Sequence, residues 1–353
     1  MKWFITGGAG FIGSNTAKHL LLKGCDVVIF DNMSRRGSRS NMEWLEAFGT
    51  PRLIEGDVRN REDIHHALSV HNDAEVVLHL AAQVAVTTSV VNPREDFEIN
   101  ALGTFNLLES IRQLNMKPVI INASTNKVYG SLSDIPVRDM KSRYCFADSG
   151  FAVNEKRALD FHSPYGCSKG CADQYMNDYS RIYGMRIVNF RQSCIYGYRQ
   201  FGIEDQGWIA WFMIASMLNK QVTIYGNGKQ VRDVLFVDDL VDAYERAVFH
   251  HDKAVGQTYN IGGGIGNTLS LIEFTEKLES MLGRKLPMLK SKTRPGDQPI
   301  YISDITKLHD DLNWKPKVSV DEGLLLMYEW VKSNVHLFKD QPSEHHRTSV
   351  ISR

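Results

Sequence analysis

The chain has 353 residues, of which 43% are hydrophobic and 23% charged, with 41 Lys+Arg against 41 Asp+Glu. At about 150 residues per domain this allows two domains, and the composition excludes disordered, collagen-like and disulfide-scaffold classes. A formal charge of zero offers no basic field for nonspecific nucleic-acid binding, and no apolar run reaches the roughly 18 residues of a membrane span.

The start, MKWFITGGAGFIG, pairs a basic Lys2 with apolar residues, as a signal peptide does. Glycines interrupt it and no small-residue cleavage site follows, so a cytoplasmic protein is expected. Lys2–Thr6 reads as a strand. Residues 11–23 carry apolar side chains at helical spacing and stop at Gly24. Residues 26–30 (DVVIF) form a continuous β-branched run, as in a strand covered on both faces. Arg52–Glu55, 76–80 and 119–122 continue the strand series, and helical patterns at 61–71, 95–115 and 165–183 fill the gaps. This alternation predicts an α/β fold, a Rossmann-type doubly wound parallel sheet. After about residue 185 the rhythm changes. A strand at 186–190 precedes a Gly-, Trp- and Tyr-rich stretch at 198–230, a strand and helix at 231–249, TYNIGG at 258–263, a helix near 270–282 and a Pro-punctuated region to 316. The expectation is a dinucleotide-binding domain of 1–190 plus about 229–260. A smaller, discontinuous substrate domain takes about 191–228 and 261–335, and 340–353 is a flexible tail. The five cysteines contain no CxxC pair and read as reduced thiols, and the His-His doublets fit no ligand spacing, so no metal is expected.

TGGAGFIG places Gly7, Gly10 and Gly13, with Phe11 and Ile12, between the first strand and the first helix. A glycine turn there lets backbone approach a pyrophosphate, and the helix start supplies free N–H groups. Asp31 closes the second strand, where an acid accepts hydrogen bonds from the adenosine ribose and repels a 2′-phosphate. Arg35 and Arg36 in the following NMSRRG suit such a phosphate or a solvated loop. NAD, tightly bound and recycled, is the expected cofactor. Asn32, Ser34, Arg35, Asp57, Val58, Leu80, Ala81, Ala82 and Asn100 complete the candidate cofactor contacts. Tyr165 and Lys169, four apart on a helix, share a face. With Thr125 they make a hydroxyl relay: the phenol is the base, the ammonium lowers its pKa and the threonine positions a substrate oxygen.

The order TGGAGFIG, FDN, GDV, HLAA, STNKVYG, PYGCSK resembles the extended short-chain dehydrogenase/reductases that act on nucleotide sugars, over about residues 1–332. DNMSRRG, QVAVTTS, LDFHSPYGCSKG and YGYRQFGIEDQGW resemble the branch whose members invert C2 of a CDP-linked deoxyhexose. The resemblance implies Thr125 as hydroxyl partner, Tyr165 as base and Lys169 as nicotinamide-ribose anchor. It implies Arg232, Arg294 and Asp297 as diphosphate and ribose contacts, matching guanidinium forks to phosphate oxygens. Gln83, Thr87, Thr88, Ser89, Asn126, His162, Gln192, Arg199 and Gln206 are the remaining sugar-side candidates. The wider family often has asparagine where Cys194 stands in RQSCIYG, which puts its usual substrate contact in doubt. Asn126 and Lys127 replace the Asp-Glu that dehydratases of the family carry after the threonine. That leaves hydride chemistry without elimination, an epimerase or a reductase; a nucleotide-sugar epimerase, working through a transient keto-sugar, is expected. A UDP-hexose 4-epimerase, an NADPH-dependent reductase or a non-catalytic NAD sensor are the alternatives. A nucleotide sugar, no nucleic acid, no membrane and a homodimer or homotetramer are the expected partners.

Overall fold

The computed structural model describes residues 1–293 and 298–339. Seven parallel strands form the main sheet. Their order is Thr258–Ile261, Arg186–Gln192, Val119–Thr125, Val76–His79, Lys2–Thr6, Asp26–Asp31, Arg52–Glu55. Chain order reverses beside Lys2–Thr6, and such a switch point opens a crevice at the carboxyl ends of the strands.

The unbroken apolar runs follow from helices on both faces, because successive strand residues point to opposite sides. Phe4, Val28, Phe30, Val77, Ile120 and Ile187 meet Ile64, Leu68, Leu107, Ile111 and Met176 in one layer. Trp3, Ile5, Val27, Ile29, Leu78, Ile121 and Val188 meet Ala17, Leu20, Leu240 and Tyr244 in the other. A second lobe carries a small sheet of Thr268–Ser270, Val231–Phe236 and Ile300–Tyr301, with Cys194–Tyr196 also paired to Val231–Phe236. Its core joins Ile209, Phe212 and Met213 of helix Trp208–Met217 to Phe274, Leu278, Leu324 and Met327.

The chain crosses between lobes more often than its rhythm suggests. Strand Val231–Phe236, expected in the first domain, belongs to the small sheet, whereas helix Val237–Phe249 and strand Thr258–Ile261 pack on the main one. Leu235 enters the main core while Val234 and Phe236 enter the small one, so one apolar run serves both. Helix Thr306–Leu312, expected in the second domain, buries Leu308 and Leu312 in the main core. The hairpin Val137–Asp139 with Tyr144–Phe146, expected in the first, packs Phe146 against Val231 and Ile300 of the second.

The helix expected over 95–115 is three pieces: Pro93–Phe97, a π-helical turn at Glu98–Leu102, and Gly103–Gln113. Helices Ser38–Leu45, Val86–Val91 and Val320–Ser333 were not expected. The β-branched VTTSVV favours a strand by propensity. Tertiary packing overrides this, since Ser89 of that helix is fully buried and its Oγ accepts from Tyr165 N at 3.1 Å. Among the described residues no helix is long and apolar enough to cross a membrane. The tail 340–353 lies outside the described residues.

Candidate active site

The crevice is a cavity of about 670 Å³ between the lobes, within the size range of small-molecule sites. Its floor is the glycine turn. Gly7 has φ +70°, and a Cβ on it would lie 2.7 Å from Ala81 N; on Gly13 a Cβ would lie 2.4 Å from Gly7 O. Only bare backbone lets helix Phe11–Leu22 start this close to the sheet. Asp31 is buried, its Oδ2 accepting from Ala9 N at 3.0 Å and its Oδ1 from Met33 N at 2.9 Å. Burial raises its pKa, against those N–H bonds and the charge of Arg35. Burial also works against ionised Asp57, but hydrogen bonds from Arg59 and Asn32 hold it at about 2. Asn32 Oδ1 accepts from Ser34 Oγ at 2.6 Å, which orders the rim of the cleft. Gly10, Phe11, Ile12, Val58, Leu80, Ala81 and Ala82 line the same cavity. This cradle, with an acid where a ribose would lie, fits NAD.

Thr125, Tyr165 and Lys169 meet on one wall. Thr125 ends strand Val119–Thr125 rather than following it, and its hydroxyl hydrogen-bonds the Tyr165 phenol. Tyr165 and Lys169 lie one turn apart in helix Ser163–Tyr183, which Pro164 helps to start. Lys169 Nζ donates to Ala123 O at 2.6 Å. Burial drives both groups away from charge. It raises Tyr165 to about 12, with Thr125 and Arg35 pulling down and Asp96 pushing up. It lowers Lys169 to about 8, against the charges of Asp173 and Asp96. A cation brought beside the phenol would restore its acidity.

The sugar-side candidates divide. Thr88, Gln192 and Gln206 line the cavity. Gln192 Nε2 donates to Tyr244 OH at 2.5 Å, and Gln206 Oε1 accepts from Arg35 across the cleft at 3.1 Å. Gln83 lines it too, but its amide is taken up by Ala85 and Asp96. Arg199 reaches the cavity wall, yet its guanidinium grips Asn41 Oδ1 at 2.8 Å and Ser40 O at 2.6 Å, tying the second lobe to helix Ser38–Leu45. Ser89 and Asn100, expected at the ligand, fall outside the cavity lining. Both are buried behind the wall, Ser89 supporting Tyr165 N and Asn100 bracketing the Gln83 backbone. Thr87 and Asn126 also fall outside the cavity lining, Asn126 Oδ1 lying 3.4 Å from Thr125 Oγ1. His162 is exposed and pairs with Asp160 at 3.0 Å. Arg232 is half-buried beside Cys194 and donates to Val231 O at 2.7 Å. Arg294 and Asp297 lie outside the described residues.

Sequence reasoning missed the wall formed by Ser193, Phe201, Ile203 and Trp208. Trp208 Nε1 donates to Cys194 Sγ at 3.2 Å. Burial raises that thiol to about 11, against Trp208 and the charges of Arg232 and Lys127, so it faces the cavity neutral. Asn41, also missed, donates to Ala9 O at 2.9 Å and braces the glycine turn. The apolar-aromatic stretch around 201–212 was the available signal.

Fold and site together define a dinucleotide-dependent enzyme with a tyrosine–lysine pair facing a second-lobe cleft. The chain belongs to the GDP-mannose 4,6 dehydratase family, which it matches over residues 4–327. It is 46% identical over 338 residues to the CDP-paratose 2-epimerase of Salmonella typhi, covering 94% of this chain and 100% of that protein. The UDP-glucose 4-epimerase of Thermotoga maritima, solved with UDP-glucose, superposes with TM-score 0.81 at 31% identity, covering 94% of this chain and 99% of that one. The Thermus thermophilus UDP-glucose 4-epimerase in complex with NAD also gives 0.81, at 30% identity, covering 95% and 100%.

Proposed function

We propose that this chain is an NAD-dependent nucleotide-sugar epimerase that inverts C2 of a CDP-linked deoxyhexose, interconverting CDP-paratose and CDP-tyvelose. The observation that carries the reading is the catalytic wall. Thr125, Tyr165 and Lys169 are assembled, and the two residues after Thr125 are Asn126 and Lys127, with no carboxylate to assist elimination of water. The identity to a CDP-paratose 2-epimerase supports the choice of sugar.

NAD, held by the glycine turn, Asp31 and the Asp57 rim, supplies a reversible two-electron acceptor when bound. Tyr165 takes the proton of the sugar C2 hydroxyl while Thr125 holds that oxygen. Lys169 anchors the nicotinamide ribose and offsets the phenolate charge. A C2 keto-sugar results, turns in the cleft and is reduced on its other face, with Tyr165 returning the proton. The turning needs a firm grip on the nucleotide, assigned to Arg232, Arg294 and Asp297, and a loose one on the sugar. Arg35, hydrogen-bonded to Gln206 across the cleft, supports closure over the cofactor.

The purified protein, with no NAD added, should convert CDP-paratose to CDP-tyvelose in heavy water without deuterium at C2. It should leave UDP-glucose unchanged. Consumption of added NADPH, or inversion at C4 of UDP-glucose, overturns the reading.

The proposal extends to assembly. Phe97, Leu102, Tyr175, Ile182 and Tyr183 lie exposed on helix Pro93–Phe97, the adjoining π turn and helix Ser163–Tyr183. Phe105 packs edge-on to Tyr175 at 5.6 Å and continues this face. Such an apolar face suits a second copy across a two-fold axis. Light scattering at micromolar concentration should give at least twice the 40.1 kDa of the chain; a value for one chain refutes the dimer.

A further inference from the structure

Behind the catalytic wall lies a carboxylate that the mechanism leaves unused. Asp96 is 1% exposed. It accepts from Ser168 Oγ at 2.5 Å, Gln83 Nε2 at 2.9 Å and Asn100 Nδ2 at 3.2 Å. The three donors sit on three separate pieces of the site. Ser168 is in the helix of Tyr165 and Lys169, directly before Lys169. Gln83 is in the loop between strand Val76–His79 and helix Val86–Val91. Asn100 is in the π turn. Gln83 Nε2 also donates to Ala85 O at 2.8 Å, and Asn100 pairs both ways with the Gln83 backbone, at 2.9 and 3.0 Å. All three donors are neutral, and burial raises the Asp96 pKa against the bonds from Ser168 and Gln83 and the charge of Lys169, in a layer where charges interact strongly.

We propose that Asp96 is a positioning residue of the catalytic pair. It locks the helix of Tyr165 and Lys169 to the cavity-lining loop and sets a negative charge behind both groups. The proposal rests on the reading of Tyr165 as proton acceptor. A negative charge favours the protonated form of each neighbour, and Asp96 pushes both the Tyr165 and the Lys169 pKa upward. It thereby keeps Lys169 an ammonium against its burial and makes the phenolate, once formed, a stronger base.

The other groups facing the pair are fixed. Arg35 and the Thr125 hydroxyl face Tyr165. Asp173 faces Lys169 from its own helix and is bound by Arg191. His79 lies near Lys169, and burial lowers its pKa to about 3, so it is neutral. Its ring is held between Thr6 Oγ1 at 2.7 Å and Thr104 Oγ1 at 2.9 Å. Beside Asp96, Glu95, which lines the cavity, accepts from Asn92, and Glu98 accepts from Arg94.

Asp96→Asn isolates the charge. The new amide oxygen still accepts from Gln83 and Asn100, and its NH₂ donates to the Ser168 hydroxyl, which can accept. With CDP-paratose as substrate, kcat should rise about tenfold on the acid side of its pH profile and fall about tenfold on the alkaline side, as one pKa unit changes an ionised fraction tenfold. Both apparent pKa values of the kcat profile should move to lower pH by about one unit. Asp96→Glu should return both limbs toward wild type. A readout without turnover is the tyrosinate absorbance of the NAD-loaded enzyme minus that of its Tyr165→Phe counterpart; its midpoint should fall by about one unit in Asp96→Asn. Unmoved limbs and an unmoved phenolate midpoint reduce Asp96 to packing and overturn the proposal. Full turnover by Tyr165→Phe would instead overturn the reading of the base. Should Asp96→Asn not fold, Ser168→Ala serves. Losing that donor raises the Asp96 pKa, so Asp96 is neutralised at the acid end and only the acid limb moves to lower pH. An acid limb that stays in place there also overturns the proposal.

Discussion

Tyr165→Phe should lower turnover by about 10²–10⁴-fold, the usual loss on removing one positioned base. The change deletes a single oxygen. The ring stays in a site that is 8% exposed, so its packing survives. Lys169 keeps its bond to Ala123 O, and Tyr165 N keeps its bond to Ser89 Oγ, because neither involves the phenol. Thr125 loses its partner but can turn to a substrate oxygen. NAD content, measured after unfolding the purified protein, should therefore match wild type while kcat collapses. Turnover within threefold of wild type would remove Tyr165 from the mechanism. A parallel loss of NAD would assign the residue to cofactor binding.

What the sequence made legible follows from how local each signal is. The strand Asp26–Asp31 ending in its acid, and the glycines between the first strand and helix, are fixed by neighbours a few residues away. Their spacing alone carries the geometry. The Tyr165–Lys169 pair is one helical turn. Ser89 and Asn100 misled because a polar residue near a cleft reads the same whether it faces ligand or holds backbone. Their hydrogen bonds run to Tyr165 and Gln83, 76 and 17 residues away. Arg199 reaches the cavity wall, but its partner Asn41 is 158 residues distant in a helix that polar SRSNMEWL does not announce. The lobe boundary failed at Val231–Phe236 because both its faces are buried in different cores, so the run carries no mark of which sheet it joins.

Asp173→Ala should destabilise the protein by about 3–5 kcal/mol, the range found when one partner of a buried ion pair is removed. Asp173 is 0% and Arg191 5% exposed. The pair is bidentate, Arg191 Nε to Oδ2 at 3.0 Å and a terminal nitrogen to Oδ1 at 2.9 Å. Ser124 Oγ adds a bond to Oδ2 at 2.6 Å, and Arg191 also donates to Tyr129 OH at 3.0 Å. Burial opposes ionisation of Asp173, but Arg191 and Ser124 outweigh it and the pKa lies below the usual value. Its contribution is therefore present above the unfolded carboxylate pKa, and is lost as pH falls through the lower folded value. In the alanine variant an unpaired guanidinium stays buried. The site also suffers, because Ser124 adjoins Thr125 and Lys169 loses its nearest carboxylate on the same helix. Urea unfolding at pH 7 should show a lower midpoint, and kcat should fall even in the folded fraction. Arg191→Met added to Asp173→Ala should recover part of the loss, since no charge then remains buried alone. An unchanged midpoint for Asp173→Ala, or a double variant weaker than the two single losses added, would show that the strand and helix are held together by something other than this pair.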